Sequence, residues 1–206
     1  MTSGVFNRVG TLRVRGKSQQ WIAIAIAATP LLALAFEFAI DGPGANPIEE
    51  ITHVTGTWGL RLIFVSLAIT PARQFLGLRT IAPLRRTFGL AGFAYAALHL
   101  STWALLDLAL DTDAIAEDLT ERPYIMVGMA AFALLAILAL TSTRAWMKRL
   151  GQRWTRLHRA VYVAAILGVV HHFWLIKADY RPAIVQASIL AGLLGARLIW
   201  RARQKA

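Results

Sequence analysis

The sequence predicts an all-α membrane protein, a bundle of six transmembrane helices with both termini cytoplasmic. Three observations carry this. The 206 residues are 57% hydrophobic and only 16% charged, with a positive mean hydropathy, which is too apolar for a soluble domain of this size. Apolar runs of about 20 residues, enough to cross roughly 30 Å of hydrocarbon, recur along the whole chain. Basic and acidic residues fall at opposite ends of those runs.

The first run, Trp21–Ile40, follows a basic segment. That arrangement resembles a signal peptide, but the run is near full spanning length and has no small-residue cleavage site, so it reads as a retained first helix. The further runs are Thr52–Thr70, stopped by Pro71, then Thr87–Leu108, Tyr124–Thr143, Thr155–Ile176 and Ala183–Trp200. Trp21, Trp154, Trp174 and Trp200 stand near run ends, where interfacial anchors belong. The connections are short and carry Pro, Gly and charge, as in Asp41-Gly42-Pro43-Gly44. Residues 1–206 therefore form one domain, with short basic tails at 1–20 and 201–206. The segment Asp111–Glu121 reads as an acidic outer loop, a candidate docking surface.

Charge sets the topology, because Lys and Arg near helix ends stay on the cytoplasmic side. Of the 22 basic residues, most fall in four segments on that side: Arg8 to Lys17, Arg73 to Arg86, Arg144 to Arg159, and Arg197 to Lys205. All 11 acidic residues, from Glu37 to Asp179, lie at or beyond the other helix ends. The net charge of +11 is thus spread between apolar runs rather than gathered on one folded surface, which argues against nucleic-acid binding. The absence of cysteine excludes disulfides, iron–sulfur clusters and thiolate metal sites, leaving histidine as the candidate metal ligand.

Five histidines carry the chemistry: His99 in the third run, His158, His171 and His172 in the fifth, and His53 at the outer end of the second. Titratable side chains inside hydrocarbon are costly and face a partner in the bundle interior. A neutral imidazole that ligates iron through one nitrogen and bonds a carbonyl through the other meets that demand. His99 and His171 fall at comparable depth in the outer half, placed to hold one b-type haem between two helices, whereas His158 lies near the cytoplasmic face. On an ideal helix, His158 shares a face with His172 rather than His171, so His172 stands as the alternative ligand. His53 reads as a boundary residue. Arg61, at mid-span, is a candidate partner for a haem propionate or a quinone head group, or else snorkels or pairs with Glu37. The competing class is a non-redox scaffold whose histidines only hydrogen-bond across helices.

Several segments together carry a specific resemblance: residues 46–56, Leu67–Pro71, Arg85–Leu90 leading to His99, Arg122-Pro123-Tyr124, Leu140–Thr143, and Trp154–Tyr162 followed by His171. In these the chain resembles the ferric-reductase-like transmembrane group, and within it the haem-binding membrane subunits of bacterial methionine sulfoxide reductase systems. The resemblance implies His99, His158 and His171 as haem ligands, and prefers His171 to His172. Relatives with two haems carry a histidine where this chain has Arg85, so the resemblance implies one haem, with the second left open and Arg85 beside it. It further implies multi-pass residence in the bacterial inner membrane, with electrons taken from quinone or a cytoplasmic flavin reductase. They would pass to a periplasmic molybdopterin-containing methionine sulfoxide reductase subunit. FMN is associated with the group but has no assignable motif here. A standalone ferric or quinone-linked reductase is the nearest alternative.

Overall fold

The computed structural model describes residues 16–176 and 178–204; Arg8, Arg13, Arg15 and Lys205 of the basic tails lie outside the described residues. Among the described residues all regular secondary structure is helical. The elements are α1 (Gly16–Ile40), α2 (Pro47–Phe75), α3 (Leu84–Ser101), α4 (Thr112–Glu121), α5 (Pro123–Leu140), α6 (Arg144–Leu150), α7 (Gln152–Leu157), α8 (Ala160–Leu175) and α9 (Arg181–Arg203). A π-helical segment, Thr102–Asp107, continues α3.

Five of these are long and apolar enough to cross a membrane: Ser18–Ile40, Pro47–Phe75, Leu84–Asp107, Pro123–Leu140 and Arg181–Arg203. The chain is accordingly a membrane protein with large outward-facing apolar side chains, among them Trp21, Leu32, Phe36, Leu198 and Ile199. The fifth apolar run departs from expectation. It breaks at a turn over His158 and Arg159 into α7 and the 16-residue α8, and α8 spans only about 24 Å.

Local chemistry moved other boundaries too. Asn46 caps α2 by accepting the Glu49 N–H, with Pro47 at the first helical position, so α2 begins five residues before Thr52. At the far end α2 runs through Pro71 instead of stopping there. Proline supplies no N–H to the carbonyl four residues back, here that of Leu67, and in lipid a freed carbonyl must find another donor. The Arg197 guanidinium provides it. The acidic stretch expected as a loop forms helix α4, capped by Asp111, whose carboxylate accepts from the Asp113 and Ala114 N–H groups.

Helix α2 lies at the centre. Its tightest neighbour is α3, and α5 with α8 makes the second close pair. Small residues set the α2–α3 approach: a Cβ on Gly92 would stand 2.7 Å from Ile63 Cδ1 and 3.1 Å from the Gly59 carbonyl oxygen. Leu62, Ile69, Phe88 and Tyr95 bury one core against Ala23 and Ala27 of α1, while Ile63, Phe64 and Leu67 bury another against Ala165, Val169 and Leu190 of α8 and α9. Tyr95 also donates its hydroxyl to the Ala27 carbonyl at 2.7 Å, tying α3 to α1 near Pro30. The two helix pairs, α2–α3 and α5–α8, flank the space in which the histidines meet.

Candidate functional site

Between those pairs lies a cavity of about 340 Å³ at the end of the bundle where α2, α5 and α9 begin and α8 ends. His99 enters it from α3 and His171 from α8, with ring centroids 6.2 Å apart and ring planes at 77°. Each ring is fixed from behind. His99 Nδ1 lies 3.0 Å from the Thr52 carbonyl oxygen and His171 Nδ1 lies 2.7 Å from that of Tyr124. A carbonyl can only accept, so each Nδ1 carries a proton, and in the neutral ring Nε2 then keeps its lone pair. A backbone carbonyl bonded to the ring nitrogen away from the metal is what orients a ligating histidine.

Two helix glycines make the ring positions possible. A Cβ on Gly128 of α5 would fall 2.8 Å from His171 Nδ1, and one on Gly56 of α2 would fall 3.0 Å from His99 Nδ1. Sequence reasoning missed both roles. The available signal was a glycine in a helix interior, which costs about 1 kcal/mol relative to alanine and so asks for a close approach. The carbonyls of Thr52 and Tyr124 had no signal, because every residue carries one.

The π-helical segment directly after α3 brings Trp103 and Asp107 to the cavity wall; such segments are frequent at functional sites. The chain leaves it through Ala109 and Leu110, at φ 49° and 60°, a left-handed conformation that costs non-glycine residues energy. This sharp exit folds α4 back so that buried Asp118 accepts from Trp103 Nε1 at 3.0 Å and pairs with Arg122 at 3.1 Å. Arg122 lines the same cavity.

The remaining candidates separate. His172 lines the cavity, but its buried Nε2 has no hydrogen-bond partner among the described residues. His53 lines the mouth, exposed, 3.8 Å from Glu49. Arg61 lines neither this cavity nor the second one described below. It is exposed on α2 with its guanidinium 4.9 Å from the Trp58 ring centroid, a cation–π contact.

His158 is at the other end of the bundle, in a second cavity of about 240 Å³ that Arg85 also lines. It stacks on Trp154 at 3.9 Å between centroids, with Nδ1 3.1 Å from the Trp154 carbonyl oxygen and Nε2 3.5 Å from Ser142 Oγ. Both of its nitrogens thus face protein groups, and Arg85 rather than an imidazole shares its cavity. The turn at His158–Arg159 also removes the basis for counting 100° per residue from His158 to His171 or His172. The count assumes one continuous helix, and α7 and α8 are two.

The donor set suits a haem better than a bare ion. Among the described residues no group of three or more His, Asp or Glu side chains converges, so the protein brings two imidazoles and the remaining donors would come from the group itself. His99 and His171, with ring centroids 6.2 Å apart, are the residues that would hold such a group, which would supply one-electron iron chemistry there.

The family described as ferric reductase like transmembrane component matches residues 55–169. A protein-methionine-sulfoxide reductase heme-binding subunit MsrQ from Xanthomonas axonopodis pv. citri is 44% identical over 183 residues, 86% of this chain and 84% of that one. The protein of the same name from Caulobacter vibrioides is 43% identical over 187 residues, 90% of this chain and 87% of its own. A third, from Xanthomonas oryzae pv. oryzae, is 43% identical over 187 residues, covering 88% and 84%. The stretch from Thr55 to Val169 holds His99 and His158 and stops two residues before His171, while the MsrQ similarity spans most of the chain, so this protein belongs to the ferric-reductase-like transmembrane family, in its MsrQ branch.

Proposed function

We propose that this chain is the haem b electron-transfer subunit of a methionine sulfoxide reductase system, passing electrons across the bacterial inner membrane to a periplasmic molybdopterin subunit that reduces oxidised methionine in proteins. The observation that carries the reading is the opposed pair His99 and His171, each with Nδ1 held by a backbone carbonyl, in a chain 44% identical to proteins named as heme-binding subunits. Haem bound there supplies one-electron iron chemistry. The chain's own work is positioning. Thr52 and Tyr124 fix the tautomers, Gly56 and Gly128 admit the rings, and Leu60, Ile63 and Phe132 give the cavity an apolar wall.

Six spans and cytoplasmic termini belong to the same proposal. They follow from the segregation of basic and acidic segments, with α7 and α8 together crossing where α8 alone is short. The cavity holding His99 and His171 then opens toward the periplasm, where the acidic α4 and the Asp118–Arg122 pair would meet the partner subunit. Electrons enter from quinone or a separate flavin reductase. One haem is proposed rather than two, since His158 faces Ser142 and Trp154 and shares its cavity with Arg85. FMN has no place assigned in this reading.

The test is the reduced-minus-oxidised visible spectrum of the purified protein, with haem counted as the pyridine haemochrome. One low-spin b-type haem per chain is expected, lost in His99→Ala and His171→Ala and kept in His158→Ala and His172→Ala. A colourless wild type, prepared with ample haem, would sink the electron-transfer reading and leave a non-redox scaffold.

A further inference from the structure

The pair His99 and His171 leaves one requirement of a haem unmet. Two imidazoles hold iron, but haem also carries two propionate carboxylates, and a carboxylate in an apolar cavity of a membrane protein needs hydrogen-bond donors and a cation. Neither histidine supplies them, since each Nδ1 is taken by a backbone carbonyl and the other nitrogen by the metal. Arg61, the cation at mid-span, stands outside the cavity over Trp58. Among the described residues that line the cavity, Arg122 is the one lysine or arginine.

A strained piece of backbone puts Arg122 there. The π-helical segment Thr102–Asp107 turns Trp103 into the wall, and the chain leaves it with Ala109 and Leu110 both at positive φ. That turn brings Asp118 of α4 back to accept from Trp103 Nε1 at 3.0 Å and to hold Arg122 Nη1 at 3.1 Å, with Asp118 only 6% exposed. A tie between α4 and α5 needs no charge, and a buried carboxylate is expensive unless a cation answers it. A carboxylate fixed in this way also aims the rest of the guanidinium. Both bonds to Asp118 run from Nη1, so among the described residues Nε and Nη2 keep their N–H donors, the edge that takes a second carboxylate in two parallel bonds. Arg122 precedes Tyr124 by two residues, with Pro123 fixing φ between them, so the carbonyl that orients His171 and this guanidinium are set by one rigid helix start. The one acid among the described lining residues, Asp107, is exposed, where water screens its charge.

We propose that Arg122, aimed by Asp118 and Trp103, binds a propionate carboxylate of the haem held between His99 and His171. The proposal rests on the haem reading and adds to it a residue that selects for the carboxylate edge of the group. It also gives the positive-φ exit from the π-helical segment and the buried Asp118 a common purpose, because without either the guanidinium would not be held at the cavity mouth.

The experiment uses the full chain, made in haem-depleted cells, purified in detergent and reconstituted with protohaem IX or with its dimethyl ester, in which both carboxylates are blocked while iron and ring are unchanged. Uptake is counted as the pyridine haemochrome, release is read as transfer to excess apomyoglobin, and the midpoint potential is read by spectroelectrochemical titration. Wild type is expected to release the ester about tenfold faster than the free acid, the worth of one charge-assisted pair. In Arg122→Gln the two release rates should agree within about threefold, as for a pair whose coupling is gone. Its midpoint potential should also fall, because a cation beside the ring favours the reduced state, which carries one positive charge fewer. Arg122→Lys keeps the charge and should restore the potential. Asp118→Asn, which keeps an acceptor for Trp103 but loosens the grip on Arg122, should show a preference between those of wild type and Arg122→Gln, whereas a merely structural role predicts that these variants lose acid and ester alike. Equal release of both haems by wild type, or a wild-type preference kept in Arg122→Gln, overturns the proposal and leaves ligation by His99 and His171 standing. Uptake of neither haem by wild type overturns the haem reading with it.

Discussion

Replacing Gly128 by alanine sets two effects of opposite sign against each other. In a helix interior alanine is favoured over glycine by about 1 kcal/mol, so α5 by itself gains stability. The new Cβ, however, would lie 2.8 Å from His171 Nδ1 and 2.9 Å from Cε1, where ordinary contacts begin at 3.4 Å. The ring must retreat by about 0.6 Å, three times the roughly 0.2 Å tolerance of a metal–ligand distance. Its 2.7 Å bond to the Tyr124 carbonyl is stretched or lost as well. That bond is worth about 1 kcal/mol, and a ring pushed off its rotamer costs about 1 kcal/mol more. The balance runs about 1 kcal/mol against the seated ring, roughly a fivefold loss of ligated population. Gly128→Ala is therefore expected to keep full helicity by circular dichroism while losing haem and low-spin character in the visible spectrum. Gly56→Ala, at 3.0 Å from His99, should do the same more mildly, and Gly195→Ala, with nothing within 4 Å, not at all. Wild-type haem content and an unchanged low-spin spectrum in Gly128→Ala would refute the claim that this glycine positions the ligand.

Gly92→Ala should destabilise the protein by about 1–3 kcal/mol through overpacking, because its Cβ meets Ile63 Cδ1 at 2.7 Å and Cγ1 at 2.9 Å. Adding Ile63→Ala removes both atoms, so thermal melts in detergent should show the double variant more stable than the summed single losses. Asp118→Ala leaves the Trp103 indole N–H and the Arg122 guanidinium without their shared acceptor, a loss of about 1–3 kcal/mol. Amide hydrogen exchange over Thr112–Glu121 should then accelerate about tenfold or more, with exchange in α2 and α9 unchanged; equal rates in mutant and wild type would show that this network does not hold α4 down.

Much was legible in the sequence because the bilayer imposes a long-wavelength pattern. Helix length, apolarity and the sorting of charge to opposite ends are local or additive properties, and they located α1, α2, α3, α5 and α9 within a few residues. Histidines in apolar runs marked the chemistry for the same reason, since a polar group there needs a cause. Boundaries fared worse where a distant residue intervened. Pro71 stops a helix unless something caps the Leu67 carbonyl, and the cap is Arg197, 130 positions away. The acidic Asp111–Glu121 became a helix through its own cap and through Asp118 reaching back to Trp103.

The choice between His171 and His172 likewise lay beyond periodicity, because the turn at His158–Arg159 resets the helical phase. What the sequence by itself determined is the class of molecule and which residue types would do the work, since hydropathy and charge act the same way wherever the chain folds. Only the tertiary structure decided which histidines face each other, which carbonyls hold their protons, that Arg61 faces outward over Trp58, and that Arg85, Arg159, Arg197 and Arg201 share one cavity. Those outcomes depend on the rotation and separation of neighbouring helices, which contacts such as Gly59 on Gly92 and Gly128 on His171 set in three dimensions.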